Sequence, residues 1–216
     1  VAREVFRSLP GPGSVFRNVV AKDQLVWTRD GYLVFPWERD GWTHLYSTAA
    51  AGGGEPRLLT PGDGEVEYVA PTAEQTGVVY SSNHGDLDRR HLWAGAARGG
   101  PPVPMTSGLG VENVPQAISD GCCVAFVGAD GRRPLSPAIR LADGTVRELA
   151  PGTLPESFPL AHTIAPQQVI FSATDGMQIH GQLFEPAATF ARPRPAVIFT
   201  HGGSRRHMML GWHYSS

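Results

Sequence analysis

Gly77-Val78-Val79-Tyr80-Ser81, His91-Leu92-Trp93 and Val103-Pro104-Met105-Thr106 are three short apolar runs separated by turn-forming residues. The same order stands upstream as Tyr32-Leu33-Val34-Phe35, His44-Leu45-Tyr46-Ser47 and Pro56-Arg57-Leu58-Leu59-Thr60. Downstream it returns as Cys123-Val124-Ala125-Phe126-Val127, Ala138-Ile139-Arg140-Leu141 and Val146-Arg147-Glu148-Leu149. Val34, Val78 and Val124 are separated by 44 and 46 residues, and His44, His91 and Ala138 by 47 and 47. The runs alternate or cluster over four to five positions, the period of a strand rather than a helix. A repeat of this length made of short strands is the pattern of four-stranded propeller blades.

Turn chemistry supports that reading. Asp40-Gly41, Asp130-Gly131 and Asp143-Gly144 lie between runs, where glycine accepts positive φ without a Cβ clash. An antiparallel sandwich with accidental spacing is the competing reading. Propellers close with ~4–8 blades. Three blades leave a ring open, so either further blades are expected ahead of Val1 or the ring is incomplete.

Composition narrows the function classes. The 26 glycines and 19 prolines, about a fifth of 216 residues, shorten every element and disfavour a helical bundle. Hydrophobic residues make up 41% and charged residues 18%, as in a globular chain. With 18 basic against 20 acidic side chains the net charge is -2, which excludes a basic nucleic-acid footprint as the leading idea. No apolar run reaches the ~18–20 residues that span a bilayer as a helix. Cys122 and Cys123 are adjacent, so a bond between them requires a strained turn, and they are expected to be free, buried thiols. Nothing here fixes the compartment.

After Pro166 the texture changes. Val169-Ile170-Phe171-Ser172-Ala173 reads as a strand, Asp175-Gly176 as a turn and Ile179-His180-Gly181-Gln182-Leu183-Phe184 as the returning strand. A proline-containing loop from Pro186 to Pro195 follows. Then comes Ala196-Val197-Ile198-Phe199-Thr200, the continuous apolar run of a strand buried within a sheet, leading into His201-Gly202-Gly203. Strand, hairpin, strand, loop, buried strand and a His-Gly-Gly turn read as the opening of an α/β-hydrolase fold.

The two halves together resemble the prolyl oligopeptidase family of serine peptidases. Gln168 to Ser172, Asp175-Gly176, Gly181, Pro186 and Pro195 to Gly203 carry the hydrolase side of the resemblance. Glu38-Arg39-Asp40-Gly41-Trp42-Thr43-His44-Leu45-Tyr46 and Arg90-His91-Leu92-Trp93 look like the last blades of its dipeptidyl peptidase IV-like branch. The resemblance runs from about Val26 to Tyr214, with Ser204 departing from the proline often found there. It implies a mostly β chain of two parts: propeller blades over 1–165 and the N-terminal part of a hydrolase domain over 166–216. The parent protein is then a serine exopeptidase acting near peptide N-termini, as a dipeptidyl or aminoacyl peptidase.

That chemistry orders its triad Ser, Asp, His, with the Ser on a Gly-x-Ser-x-Gly elbow. The sequence contains no such elbow, so the chain alone is expected to be inactive. The resemblance places an oxyanion-hole donor at His201 and Gly202, and implies no cofactor and no metal. His201, His207 and His213 are spaced by six, unlike the helical two-His metal pattern. Glu65 and Glu67 share a strand face, but the branch's amine-binding glutamates belong to an earlier blade and are not carried onto them. Trp37 and Trp42 are expected to pack between strands, and Arg205-Arg206 to form a solvated loop. The expected partners are a peptide substrate and the rest of the same polypeptide, with a homodimer of the parent protein open. Two other functions stay open: a non-catalytic propeller binding module and an α/β-hydrolase esterase.

Overall fold

The computed structural model describes residues 2, 4–8, 10–11, 24–118, 120–186, 193, 195–202 and 207–212. Three four-stranded antiparallel sheets follow one another in sequence, each a simple meander. The first holds β1 (Val26–Trp27), β2 (Tyr32–Glu38), β3 (Thr43–Ala49) and β4 (Arg57–Leu58). The second holds β5 (Val66–Pro71), β6 (Gly77–Ser82), β7 (His91–Ala96) and β8 (Val103–Pro104). The third holds β9 (Val111–Ala117), β10 (Cys123–Ala129), β11 (Ser136–Leu141) and β12 (Val146–Glu148). A separate hairpin pairs β13 (Gln167–Ser172) with β14 (Gln178–Leu183), and the only helix among the described residues is a 3-10 turn over Leu160–His162.

Period-2 patterning gives the middle sheet two apolar faces, and the core is the pair of layers between sheets. Val34 and Leu45 of the first sheet pack on Val69, Val78 and Tyr80 of the second. Val79 and Leu92 on the other face of the second sheet pack on Val124, Phe126 and Ala138 of the third. On the outer face of the first sheet, Phe35, Trp37 and Tyr46 are buried with Phe6 stacked 5.4 Å from Phe35. Trp37 therefore packs between strands as expected, and Arg39 lies 5.2 Å above its ring.

The ladders correct the sequence alignment. The amide of Leu59 donates to Leu45, that of Met105 to Leu92 and that of Leu149 to Pro137. Leu45, Leu92 and Pro137 are therefore equivalent, and the third repeat sits two residues earlier than the His91–Ala138 spacing implies. Similarly Val34 corresponds to Val79, not Val78. A one-residue slip moves a side chain to the opposite face, so only this register puts both valines toward the following sheet.

A latch repeats with the register. The amides of Leu45 and Leu92 donate to Oγ1 of Thr60 (3.0 Å) and Thr106 (2.8 Å), tying each outer edge to the third strand. The third sheet has Pro137, which has no N–H to donate, and Ala150 in place of the threonine. Loss of donor and acceptor together leaves no buried polar group unpaired there.

Three expectations fail. Residues 196–200 form no strand, and Val197 and Ile198 are 93% and 91% exposed; a buried strand needs ladder partners, and neither β13 nor β14 pairs with them. Of the strands read after Pro166, the described residues form the β13–β14 hairpin alone. Cys122 and Cys123 are free, but Cys122 is exposed at the β9–β10 turn and Cys123 is half-buried. Gly131 lacks positive φ, because Oδ1 of Asp130 makes that turn by accepting the amides of Arg132 and Arg133, both at 2.7 Å.

Candidate functional site

Charge gathers where the β13–β14 hairpin and residues 207–212 meet the second sheet. Each part is supplied by a local rule of the chain. β5 enters the sheet through a bulge between Val66 and Tyr68, which leaves Glu67 outside the ladder and lets it turn toward Arg90. The loop Asn83–Arg90 between β6 and β7 is folded by its own side chains: Oδ1 of Asp86 accepts the amide of Asp88, and Oδ2 accepts from Arg89. This loop presents Asn83, Asp88 and Arg90, all buried to within 4% exposure, toward the hairpin.

Arg90 pairs closely with Glu67 and stands 3.9 Å from Glu65. Burial pushes its guanidinium down to about 10, with Glu65 opposing, so it remains charged at neutral pH. Glu65 moves the other way: burial raises its carboxyl, and Arg90 only partly offsets this. Oδ1 of Asn83 accepts the Glu65 amide at 2.6 Å, and its Nδ2 lies 3.4 Å from Nδ1 of His207. His207 also stands 3.9 Å from Glu65.

Asp88 is the second centre. Its Oδ2 accepts from Nδ1 of His180 on β14 at 2.8 Å and from Nε2 of Gln168 on β13. Its backbone carbonyl accepts the Leu210 amide at 2.7 Å, and Nε2 of Gln182 donates to the Met209 carbonyl at 2.5 Å. One buried carboxylate thus ties both strands of the hairpin to the sheets, while its own carbonyl binds the returning segment.

His201 belongs to the same neighbourhood. Burial holds His207 below the ordinary histidine range, followed by the charge of Arg90, while Asp88 opposes and His180 and His201 add to the lowering. His201 and Gly202 themselves are exposed, with Nδ1 of His201 donating to the Gly202 carbonyl at 3.4 Å. Among the described residues, a Cβ at Gly202 would meet nothing within 4 Å. Gly203, Ser204, Arg205-Arg206 and His213 lie outside the described residues.

Chemically, Glu65 and Glu67 face one permanent cation, Arg90, while Asp88 holds the hairpin, an arrangement that holds and orients charge. Among the described residues it contains no activated nucleophile. Elsewhere, Oγ1 of Thr106 donates to Glu112 (2.8 Å), which also holds Nδ1 of His91 (2.7 Å), so the imidazole does not activate that hydroxyl. Thr60 does touch Nδ1 of His44, but both are buried. No cluster of three or more metal-binding side chains occurs among the described residues.

This layout of successive four-stranded meanders has relatives. The model of the dipeptidyl peptidase IV (DPP IV) N-terminal region matches residues 17–125. The chain belongs to that family. Among solved structures, this DPP IV N-terminal region chain is similar to a puromycin hydrolase complexed with PGG, with a TM-score of 0.61 and 20% identity. That likeness covers 76% of this chain and 25% of the other. Porphyromonas gingivalis dipeptidyl peptidase 4 gives a TM-score of 0.57 at 17% identity, over 76% of this chain and 23% of that one. A puromycin-hydrolyzing peptidase of Mycobacterium tuberculosis gives 0.59 at 17%, over 75% and 26%. The chain therefore spans about a quarter of the length of the structures it matches. No curated protein matches it in sequence.

The DPP IV resemblance read from the sequence is thus correct. Sequence reasoning singled out His201 and Gly202 as an oxyanion-hole turn and did not single out Asp88, Arg90 or His180 as parts of a charged junction. The signal for Arg90 was present in Asp88-Arg89-Arg90-His91, where a charged run leads into a strand. Nothing in the sequence joins it to His180, 90 positions later.

Proposed function

We propose that this chain is a section of a serine-type exopeptidase that cleaves peptides near their N-terminus, as a dipeptidyl or aminoacyl peptidase. The observation that carries the reading is the match to the DPP IV N-terminal region, with puromycin-hydrolysing and dipeptidyl peptidases among the structures of similar fold. In this reading residues 1–165 contribute propeller blades and 166–216 begin the peptidase domain. The nucleophilic Ser, the Asp and the His come from the same polypeptide outside these residues. An activated Ser attacks the scissile carbonyl, and the turn at His201-Gly202 supplies one donor to the tetrahedral oxyanion. A single such donor is typically worth ~2.7–4 kcal/mol of transition-state stabilisation. The Asp88 junction fixes the β13–β14 hairpin, which precedes this turn in the chain.

The test compares the 216-residue chain with the longer polypeptide that contains it. The longer protein is expected to hydrolyse dipeptide-linked chromogenic amides and to be labelled by a fluorophosphonate probe, and the short chain to do neither. Labelling of the short chain would reveal a nucleophile within it. A longer protein inert in both assays would point to a binding module, and one that takes only simple esters to an esterase.

A further inference from the structure

The cross-strand pairs of the three sheets align a row of side chains whose chemistry changes along the chain. In the first sheet Phe35 pairs with Tyr46, which pairs with Leu58. In the second, Tyr80 pairs with Trp93, which pairs with Pro104. In the third, Phe126 pairs with Ala138, which pairs with Glu148. Cross-strand partners share a face, so each row lies on the side of its sheet turned to what precedes it. Beside this row, Trp37 and Ser82 give way to Gly128. The ring present at the centre of the first two rows is missing from the third, and a carboxylate replaces the apolar edge residue.

A cavity of about 440 Å³ opens at that place, lined by Phe126, Gly128, Ala138, Glu148, Glu112 and Arg133 among others. This lies within the ~300–1,000 Å³ usual for small-molecule sites, and an apolar floor with few convergent polar groups is their usual lining. Phe126 is buried at 6% exposure and offers a ring for stacking. The lining includes three carboxylates, Glu112, Asp130 and Glu148, against the single guanidinium of Arg133. Glu112 is engaged by His91 and Thr106. Among the described residues Glu148 is held only by Arg133, at 3.7 Å, and is 28% exposed, so it is the carboxylate that a ligand's cation reaches.

The geometry points to a ligand site between the second and third sheets for a small planar aromatic carrying a cationic amine. The ring occupies the place over Ala138 that Trp93 fills one repeat earlier, and the ammonium meets Glu148. This site is separate from the Asp88 junction and does not depend on the peptidase reading.

Tryptamine, indole and indole-3-acetate serve as probes of the full chain by saturation-transfer NMR and calorimetric titration. Tryptamine is expected to bind at least tenfold more tightly than indole-3-acetate, with indole between them. Ala138→Trp places a ring in the cavity and is expected to weaken tryptamine at least tenfold while the thermal transition stays cooperative. Ala138→Phe serves the same purpose should the larger ring prevent folding. Glu148→Gln is expected to erase the preference for tryptamine over indole-3-acetate while leaving indole unchanged. Equal affinity for the two charged probes, no binding at millimolar concentration, or unaltered tryptamine binding in the folded Ala138 variants would overturn the proposal.

Discussion

Val114 holds a φ of 53° within β9, the left-handed region that a β-branched side chain enters only at a cost. The register shifts between Ala125 and Val127, so Val114 and Pro115 form the bulge that absorbs an extra residue. Such backbone strain is worth ~1–3 kcal/mol, and Val114 is 40% exposed, so little burial offsets it. Val114→Gly is expected to stabilise the chain by about 1 kcal/mol, after the ~0.5–1 kcal/mol entropic cost of glycine. Thermal denaturation checks it, and a lowered Tm would show that the valine side chain carries packing that its exposure hides. His44 sets a different expectation at this scale. It is buried at 2% exposure, and desolvation lowers its pKa below 6.5, with His84 adding and Asp40 and Asp63 opposing. The unfolded chain then binds the proton more readily, so stability is present above about pH 6.5 and is lost as pH falls below it. His207 adds a slope of the same sign, whereas the raised carboxyl of Glu65 contributes stability that is lost as pH rises above its ordinary 4.5. Tm measured from pH 8 to pH 5 is expected to fall for the native chain and to fall less for His44→Gln. Parallel curves would mean that His44 is not a source of the slope.

Strands reveal themselves in sequence where side chains alternate, and fail to where another demand wins. Nine of the twelve strands in the three sheets coincide with runs read from the repeat, and the hairpin β13–β14 with its Asp175-Gly176 turn was legible too. The first strand of each sheet was not. β1 has two residues, β5 opens with the Glu67 bulge and ends at Pro71, and β9 carries Val114-Pro115. Bulges break the two-residue period and proline removes a ladder donor, so these strands lack the pattern by which strands are recognised. The same bulge aims Glu67 at Arg90, a pairing that the strand-face reading of Glu65 and Glu67 does not give. At 196–200 the opposite failure occurs: a strand-like run has no partner to pair with. Two consequences at element scale are measurable. Thr106→Val removes the acceptor of the buried Leu92 amide and is expected to cost about 1–3 kcal/mol in denaturant unfolding, with Thr106→Ser recovering part of it. Asp88→Asn keeps the side-chain shape but removes the charge that accepts from His180 and Gln168. Hydrogen exchange is expected to quicken in β13 and β14 while β2, β6 and β10 stay protected. Uniform quickening would make Asp88 a residue of the general core rather than the clasp of the hairpin.

Across the whole molecule, apolar surface is distributed unevenly. The two layers between sheets bury Val34, Leu45, Val78 and Leu92 completely. Beyond Pro166 the balance reverses: Ile170, Phe171, Leu183 and Phe184 are each 46–54% exposed, and Val197, Ile198 and Phe199 reach 93%, 91% and 67%. Both edges of the two-stranded hairpin and the uncharged run at 196–200 therefore offer β-prone surface to another chain. Burying one large apolar side chain is worth ~1.5–3 kcal/mol, so gathering several approaches the 5–15 kcal/mol that typically holds a domain together. The isolated 216-residue chain is expected to self-associate through this region, while its three sheets still unfold in one cooperative step. Sedimentation velocity should show higher-order species at micromolar concentration, and the double change Val197→Lys, Ile198→Lys should restore the monomer without moving Tm. These two side chains touch almost nothing, so a stability effect is not expected from replacing them. A native chain that sediments as a monomer would mean that the exposed run does not govern association. Aggregates that persist in the double variant would place the sticky surface on the hairpin, where Phe171→Lys is the substitution that tests it.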